Sequence, residues 1–298
     1  MKGVVAAVLT PMRDDLSVDR AVFAAHCRRL LDAGCHGLGI FGTTGEANSL
    51  SIEERVEAWT SLVEDGIPAD TLLPGTGACA LPDAVRLSRA ALELGAPGVL
   101  ALPPFYYKGV SDDGLFRFFA ELIERVGDDR LRLFLYHIPP MAAVGFTPEL
   151  IGRLLDAYPG VIAGTKDSAG DPGRIERVCR EYGDRLAVFA GSERFLLDTL
   201  RWGGAGCISA TVNVLARQAR EVYDRWAAGG DAESAQAALT EARAFMDGRA
   251  LIPALKALMR ELTGDDGWLN VRPPLEPLDD EDARELVALL PAAAQRVS

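Results

Sequence analysis

The chain has 298 residues, of which 49% are hydrophobic and 25% charged, with 31 lysines and arginines against 43 aspartates and glutamates for a formal net charge of −12. This balance excludes intrinsic disorder and is ample for a large buried core. An acidic surface without a basic run repels nucleic acid and anionic membranes, so an anionic substrate must be held by local groups. No apolar stretch approaches the ~20 residues of a membrane span, and the six apolar residues 4–9 end in Thr10-Pro11, as a first strand would rather than a signal peptide. A cytoplasmic protein is expected. The five cysteines, Cys27, Cys35, Cys79, Cys179 and Cys207, form no C-x-x-C pair and suggest neither a disulfide framework nor a zinc knuckle.

Short apolar runs alternate with longer stretches of helical period. Strand candidates begin near Val4, Gly37, Thr71, Gly98, Leu131, Val161, Leu186 and Gly206, roughly 30 residues apart, the length of a strand, a helix and two short loops. Helix starts are marked by Ser51 with Glu54 three residues later, a capping box, and by Thr147-Pro148-Glu149 and Asp171-Pro172, which put proline at the first helical position. Eight repeats favour a closed (β/α)8 TIM barrel over an open doubly wound sheet, and no G-x-G-x-x-G follows the first strand. After Gly229-Gly230-Asp231 only helical patterns remain, over 232–246, 250–262 and 280–290. The expectation is a catalytic barrel over residues 1–224 and a C-terminal three-helix domain over 225–298. The acidic group Asp279-Asp280-Glu281-Asp282 suits a solvated helix N-terminus.

In such a barrel the active site lies at the C-terminal ends of the strands. Four strand ends carry reactive groups: Gly42-Thr43-Thr44-Gly45-Glu46, Tyr136-His137-Ile138-Pro139, Thr165-Lys166-Asp167-Ser168 and Ala190-Gly191-Ser192-Glu193. A lysine amine is a nucleophile only when neutral, a state that burial favours. Lys166 is therefore the leading catalytic candidate, with the alternative of a plain ion pair to Asp167. Tyr136, on the adjacent strand, is placed to move protons between amine, carbinolamine and substrate hydroxyl. The Gly42 to Gly45 turn offers backbone amides and two hydroxyls to a carboxylate. A core aromatic and an ordinary tight turn are the plainer readings of these two features.

These motifs, together with Pro104-Phe105-Tyr106-Tyr107, occur in the order and at the strand ends of one known family. The sequence resembles the dihydrodipicolinate synthase and N-acetylneuraminate lyase superfamily, the class I pyruvate-dependent aldolases, over nearly the whole chain. The resemblance implies a (β/α)8 barrel with a C-terminal helical domain and a homotetramer built as a dimer of dimers. It also implies a small-molecule 2-oxo acid as substrate and no metal or organic cofactor. It makes Lys166 the Schiff-base lysine and Tyr136 the proton shuttle. Thr43, Thr44 and Gly45 become the carboxylate site, Tyr107 a relay residue reaching a neighbouring subunit, Gly191 a residue of the pocket floor, and Ile208 one whose backbone lies by the bound pyruvate.

The departures from the family pattern bear on the substrate. Dihydrodipicolinate synthases carry an arginine where this chain has Met141, and His137 replaces a common asparagine and is read as packing. Ser192 and Glu193 stand where N-acetylneuraminate lyases bind sugar hydroxyls, and Arg194 is an alternative partner for a distal carboxylate. The segment 164–171 also resembles that of 4-hydroxy-2-oxoglutarate aldolases. The expected reaction is cleavage of a 4-hydroxy-2-oxo acid, foremost a 2-keto-3-deoxy sugar acid, to pyruvate and an aldehyde. A dehydratase or deaminase working through the same imine is the alternative, and dihydrodipicolinate synthase itself or a non-catalytic paralogue stand behind it. A phosphate site is disfavoured because Gly203-Gly204-Ala205-Gly206 precedes its strand, and a metal site because His26, Cys27, Cys35 and His36 fall on the first helix and just after it.

Overall fold

A computed structural model describes residues 1–288. Its strands are β1 (Gly3–Ala7), β2 (Gly37–Gly39), β3 (Val99–Ala101), β4 (Leu133–His137), β5 (Ile162–Asp167), β6 (Ala187–Ala190) and β7 (Gly206–Ser209). They lie parallel in the order β2-β1-β7-β6-β5-β4-β3. The gap between β2 and β3 is filled by the third expected strand, which takes a reduced form. Leu72 bridges Leu38 and Gly75 bridges Leu100. The Leu73 and Gly75 amides donate to Leu38 and Ile40, each at 2.8 Å, and the Pro74 carbonyl accepts from Leu100 at 2.8 Å. Proline has no N–H to give, so the ladder breaks at Pro74 while the ring of chain stays closed.

Around the ring run α1 (Arg20–Asp32), α2 (Ile52–Glu64), α3 (Leu81–Glu93), α4 (Asp112–Val126), the short α5 (Pro139–Ala142), α6 (Pro148–Ala157), α7 (Pro172–Tyr182), α8 (Leu196–Arg201) and α9 (Val212–Ala227). The expected starts are present: the Ser51 capping box opens α2, and the Thr147 and Asp171 side chains cap α6 and α7 with proline next. Because the helices cover the outer face, strand residues are buried on both sides, as parallel sheets require. No helix among the described residues is long and apolar enough to cross a membrane.

Three further helices follow, α10 (Ala232–Arg243), α11 (Leu251–Thr263) and α12 (Asp280–Ala288); positions 289 and 290 of the third expected helix lie outside the described residues. They are tied into the barrel by specific contacts. Trp268 is buried edge-on against His26 of α1, ring centroids 5.0 Å apart. Arg272 reaches back to the Leu16 and Ser49 carbonyls and to Glu54. Lys256 on α11 forms a fully buried ion pair with Glu46.

Candidate active site

β4 and β5 pair in register with Tyr136 beside Lys166, so both side chains point to the same face, into the ring. Their neighbours on the strands point the other way. Asp167 meets Arg174 of α7 at 2.7 Å outside the ring, which removes it as the partner of Lys166. His137 accepts the Phe146 amide on Nδ1 at 3.0 Å, and burial with Arg174 nearby pushes its pKa down to about 4. It is a packing residue, as expected.

Lys166 is 4% exposed, and its Nζ lies 4.2 Å from the centre of the Tyr136 ring. Burial resists ionisation of the Tyr136 phenol, but the Lys166 charge and hydrogen bonds from Thr43, Lys166 and Ser168 together outweigh it. The phenol is thus held below its ordinary pKa. The same groups open onto a cavity of about 340 Å³ whose floor includes Thr43, Thr44, Tyr136, Lys166, Ser168 and Gly191. Amine, phenol and the two threonines are therefore brought together as the sequence implies. Gly191 has no room for a side chain, since a Cβ there would come 2.0 Å from Ser168 Oγ.

The β2 turn that carries the threonines is conformationally costly. Phe41 and Glu46 adopt left-handed backbone angles, φ 50° and 55°, which disfavour side chains and persist only when surroundings hold them. Phe41 is fixed by edge contacts to Phe23 and Trp59, and Glu46 by Lys256 and by the Arg272 amide at 2.9 Å. Gly45 is packed behind the cavity rather than lining it. Its carbonyl accepts from Thr10 at 2.8 Å, and a Cβ would come 2.9 Å from the Val8 oxygen.

Other expectations for this site are corrected. Glu193 is fully buried, bonded to the hydroxyls of Ser209 and Thr211 and 3.4 Å from Arg243, so it faces no substrate. A buried carboxylate needs such partners, and β7, the start of α9 and α10 supply them. Ser192 is turned toward α10 and accepts from Arg243 at 3.0 Å. Arg194 pairs with Asp247. The Ile208 side chain is sealed inside the ring against β1, and Ala210, two residues on, lines the cavity; the expectation for Ile208 concerns its backbone and is not corrected by this. Tyr107, whose expected role is in a neighbouring subunit's site, is 73% exposed against Tyr106 and does not line this chain's own cavity, which leaves that expectation uncorrected.

Several lining residues have no counterpart among the sequence candidates. Ser168 shares the parity of Lys166 along its strand, which was a usable signal. Ala250, Leu251, Ile252 and Pro253 at the start of α11, and Leu275 beyond it, roof the cavity from a distant part of the chain. As for the metal reading, His26 bonds to Asn213 at 2.8 Å and His36 accepts the Val4 amide at 3.1 Å. Among the described residues no cluster of three metal-ligating side chains exists.

A parallel barrel with a buried lysine stacked on a tyrosine at its mouth defines a class I, aldolase-type lyase. The sequence matches the model of the dihydrodipicolinate synthetase family over residues 1–293, and the chain belongs to that family. It is 36% identical over 297 residues to an uncharacterized DapA-like lyase from Chloroflexus aurantiacus, covering 99% of this chain and 97% of the relative. It is 31% identical to a 4-hydroxy-tetrahydrodipicolinate synthase from Methanopyrus kandleri, covering 96% and 94%. Among solved structures, dihydrodipicolinate synthase from Agrobacterium tumefaciens superposes with a TM-score of 0.89 at 35% identity, over 97% of this chain and 98% of that one. A prophage protein of the same family from E. coli K12, solved with pyruvate, also gives 0.89 at 25% identity, over 100% and 99%.

Proposed function

We propose that the protein cleaves a 4-hydroxy-2-oxo acid to pyruvate and an aldehyde through an imine on Lys166, as a cytoplasmic enzyme with no cofactor. The observation that carries this is the Lys166 amine lying 4.2 Å from the Tyr136 ring on the floor of a cavity that also holds Thr43 and Thr44. The Thr43 and Thr44 hydroxyls and turn amides receive the carboxylate, and Lys166 condenses with the C2 carbonyl with loss of water. Tyr136, whose phenol is held below its ordinary pKa, removes the C4 hydroxyl proton. The C3–C4 bond then breaks, its electrons passing to the iminium nitrogen while the aldehyde leaves. Protonation of the enamine at C3 and hydrolysis return pyruvate and the free amine. The 2-keto-3-deoxy sugar acids share the C1 to C4 portion that this set of groups recognises. A dehydratase or deaminase starts from the same imine but releases no pyruvate.

The relatives named for 4-hydroxy-tetrahydrodipicolinate synthesis share the family, but here Met141 stands at the cavity mouth and Arg194 is spent on Asp247. The barrel, residues 1–224, supplies the reacting groups, and Ala250 to Pro253 with Leu275 of the C-terminal helical domain supply the roof. A homotetramer gives exposed Tyr107 a neighbouring site to reach, and light scattering returning a monomer removes that role. The central test is borohydride trapping with pyruvate followed by peptide mass mapping. An adduct on Lys166 that vanishes in Lys166→Ala, together with loss of turnover, is expected; full turnover by Lys166→Ala ends the imine reading.

A further inference from the structure

The floor of the cavity is polar, but its upper wall is not. Past Tyr136 and the threonines the wall is built from Ile138, Met141, Leu251, Ile252, Pro253 and Leu275. Among the described residues that line it, Lys166 is the sole charged one. The charged groups that a polyol or a second carboxylate would need are committed elsewhere. Glu193 is held by Ser209, Thr211 and Arg243, and Arg194 by Asp247. Arg249 donates to the Phe245 carbonyl at 2.7 Å, and Lys256 is buried on Glu46 and the Asn270 carbonyl.

A hydroxyl or carboxylate moved from water against such a wall loses its hydration and finds no partner. An alkyl or aryl group gains from the same transfer. At about 340 Å³ the cavity is at the small end for ligand sites, which suits a pyruvate unit with a short chain or one ring. We infer that the half of the substrate released as aldehyde is an uncharged apolar group, alkyl or aryl, rather than a polyol or an acid. This rests on the imine reading of Lys166 and adds what lies beyond C4.

The test measures pyruvate release from six-carbon 4-hydroxy-2-oxohexanoate, from the six-carbon 2-keto-3-deoxy sugar acid and from 4-hydroxy-2-oxoglutarate, with trapping of pyruvate on Lys166 run alongside. The apolar substrate is expected to exceed each polar one by about 10-fold or more in kcat/KM. Equal or better use of the polyol or the diacid, with the pyruvate adduct intact, overturns the inference and leaves the imine standing. Absence of any adduct on Lys166 removes the imine reading and the inference with it. If adducts form without cleavage, the same three acids compete against pyruvate for Lys166, and the apolar one must win by the same factor. Leu275→Ser combined with Ile252→Ser is expected to lower the apolar-to-polyol ratio about 10-fold; an unchanged ratio shows that this wall does not set the preference and overturns the inference.

Discussion

Replacing Lys256 with methionine removes a cation whose side chain is as completely buried as that of its partner, Glu46. Burial draws the Lys256 ammonium below its ordinary pKa even with Glu46 against it, so the pair sits in a poorly solvating place. In the variant the Glu46 carboxylate keeps only the Arg272 amide, at 2.9 Å on Oε2. Breaking a buried pair from one side costs about 3–5 kcal/mol, a large share of the ~5–15 kcal/mol of a whole folded protein. The double variant Lys256→Met with Glu46→Gln discards both charges while retaining an amide oxygen for Arg272. It should regain at least about 2 kcal/mol of the loss, the size of coupling expected for contacting residues. Urea unfolding followed by tryptophan fluorescence reads both values, since Trp268 lies in the same C-terminal packing. A single-variant loss below about 1 kcal/mol, or a double variant no more stable than the single, refutes the account of the buried charge.

Tyr136→Phe should lower kcat by about 10²–10⁴-fold in a pyruvate-release assay. It should also abolish a rising limb of kcat/KM with pH that in the native protein levels off below the ordinary phenol range, because the active phenolate forms at a lowered pKa. Glu193→Ala should cost about 1–3 kcal/mol in chemical denaturation by stranding the Ser209 and Thr211 hydroxyls and Arg243, with substrate preference unaltered; a changed preference returns Glu193 to the cavity. For His26, burial first and the neighbouring Arg29 second push the pKa from 6.5 to about 3, so below pH 6.5 the unfolded chain binds a proton that the fold excludes. Its contribution is complete above pH 6.5 and falls by about 3 kcal/mol on reaching pH 4, and a His26→Gln variant should show a correspondingly shallower acid loss of stability.

The strand rhythm was legible because each barrel strand is a short apolar run set off by turn residues, and the observed strands begin within a few residues of the expected positions. Pro74 is visible in the sequence, but its effect depends on β2 and β3 lying to either side, which pattern reading does not position. Lys166, Tyr136 and the threonines were legible since strand ends face the mouth of a barrel. Glu193 misled because strand-end position says where a residue starts, not which way its side chain turns; its partners come from β7, the start of α9 and α10. Glu46 was quoted within a motif, yet its role depends on Lys256 and Arg272, far along the chain. The apolar roof was hidden for the same reason, as Ala250 to Pro253 read locally as an ordinary helix start.

The roof and the Glu46 pairing give the chain a direction in time during synthesis. When β7 has left the ribosome, Lys166, Tyr136 and Thr44 already exist on a nascent barrel, but Glu46 still lacks its cation and the cavity is open to water above. Both are completed by the stretch from Leu251 to Leu275, made last of all the segments that touch the cavity. The Lys166 amine is thus enclosed only after α11 and the stretch to Leu275 have been made, and a chain stopped at the end of the barrel would carry Lys166, Tyr136 and the threonines without the roof over their cavity.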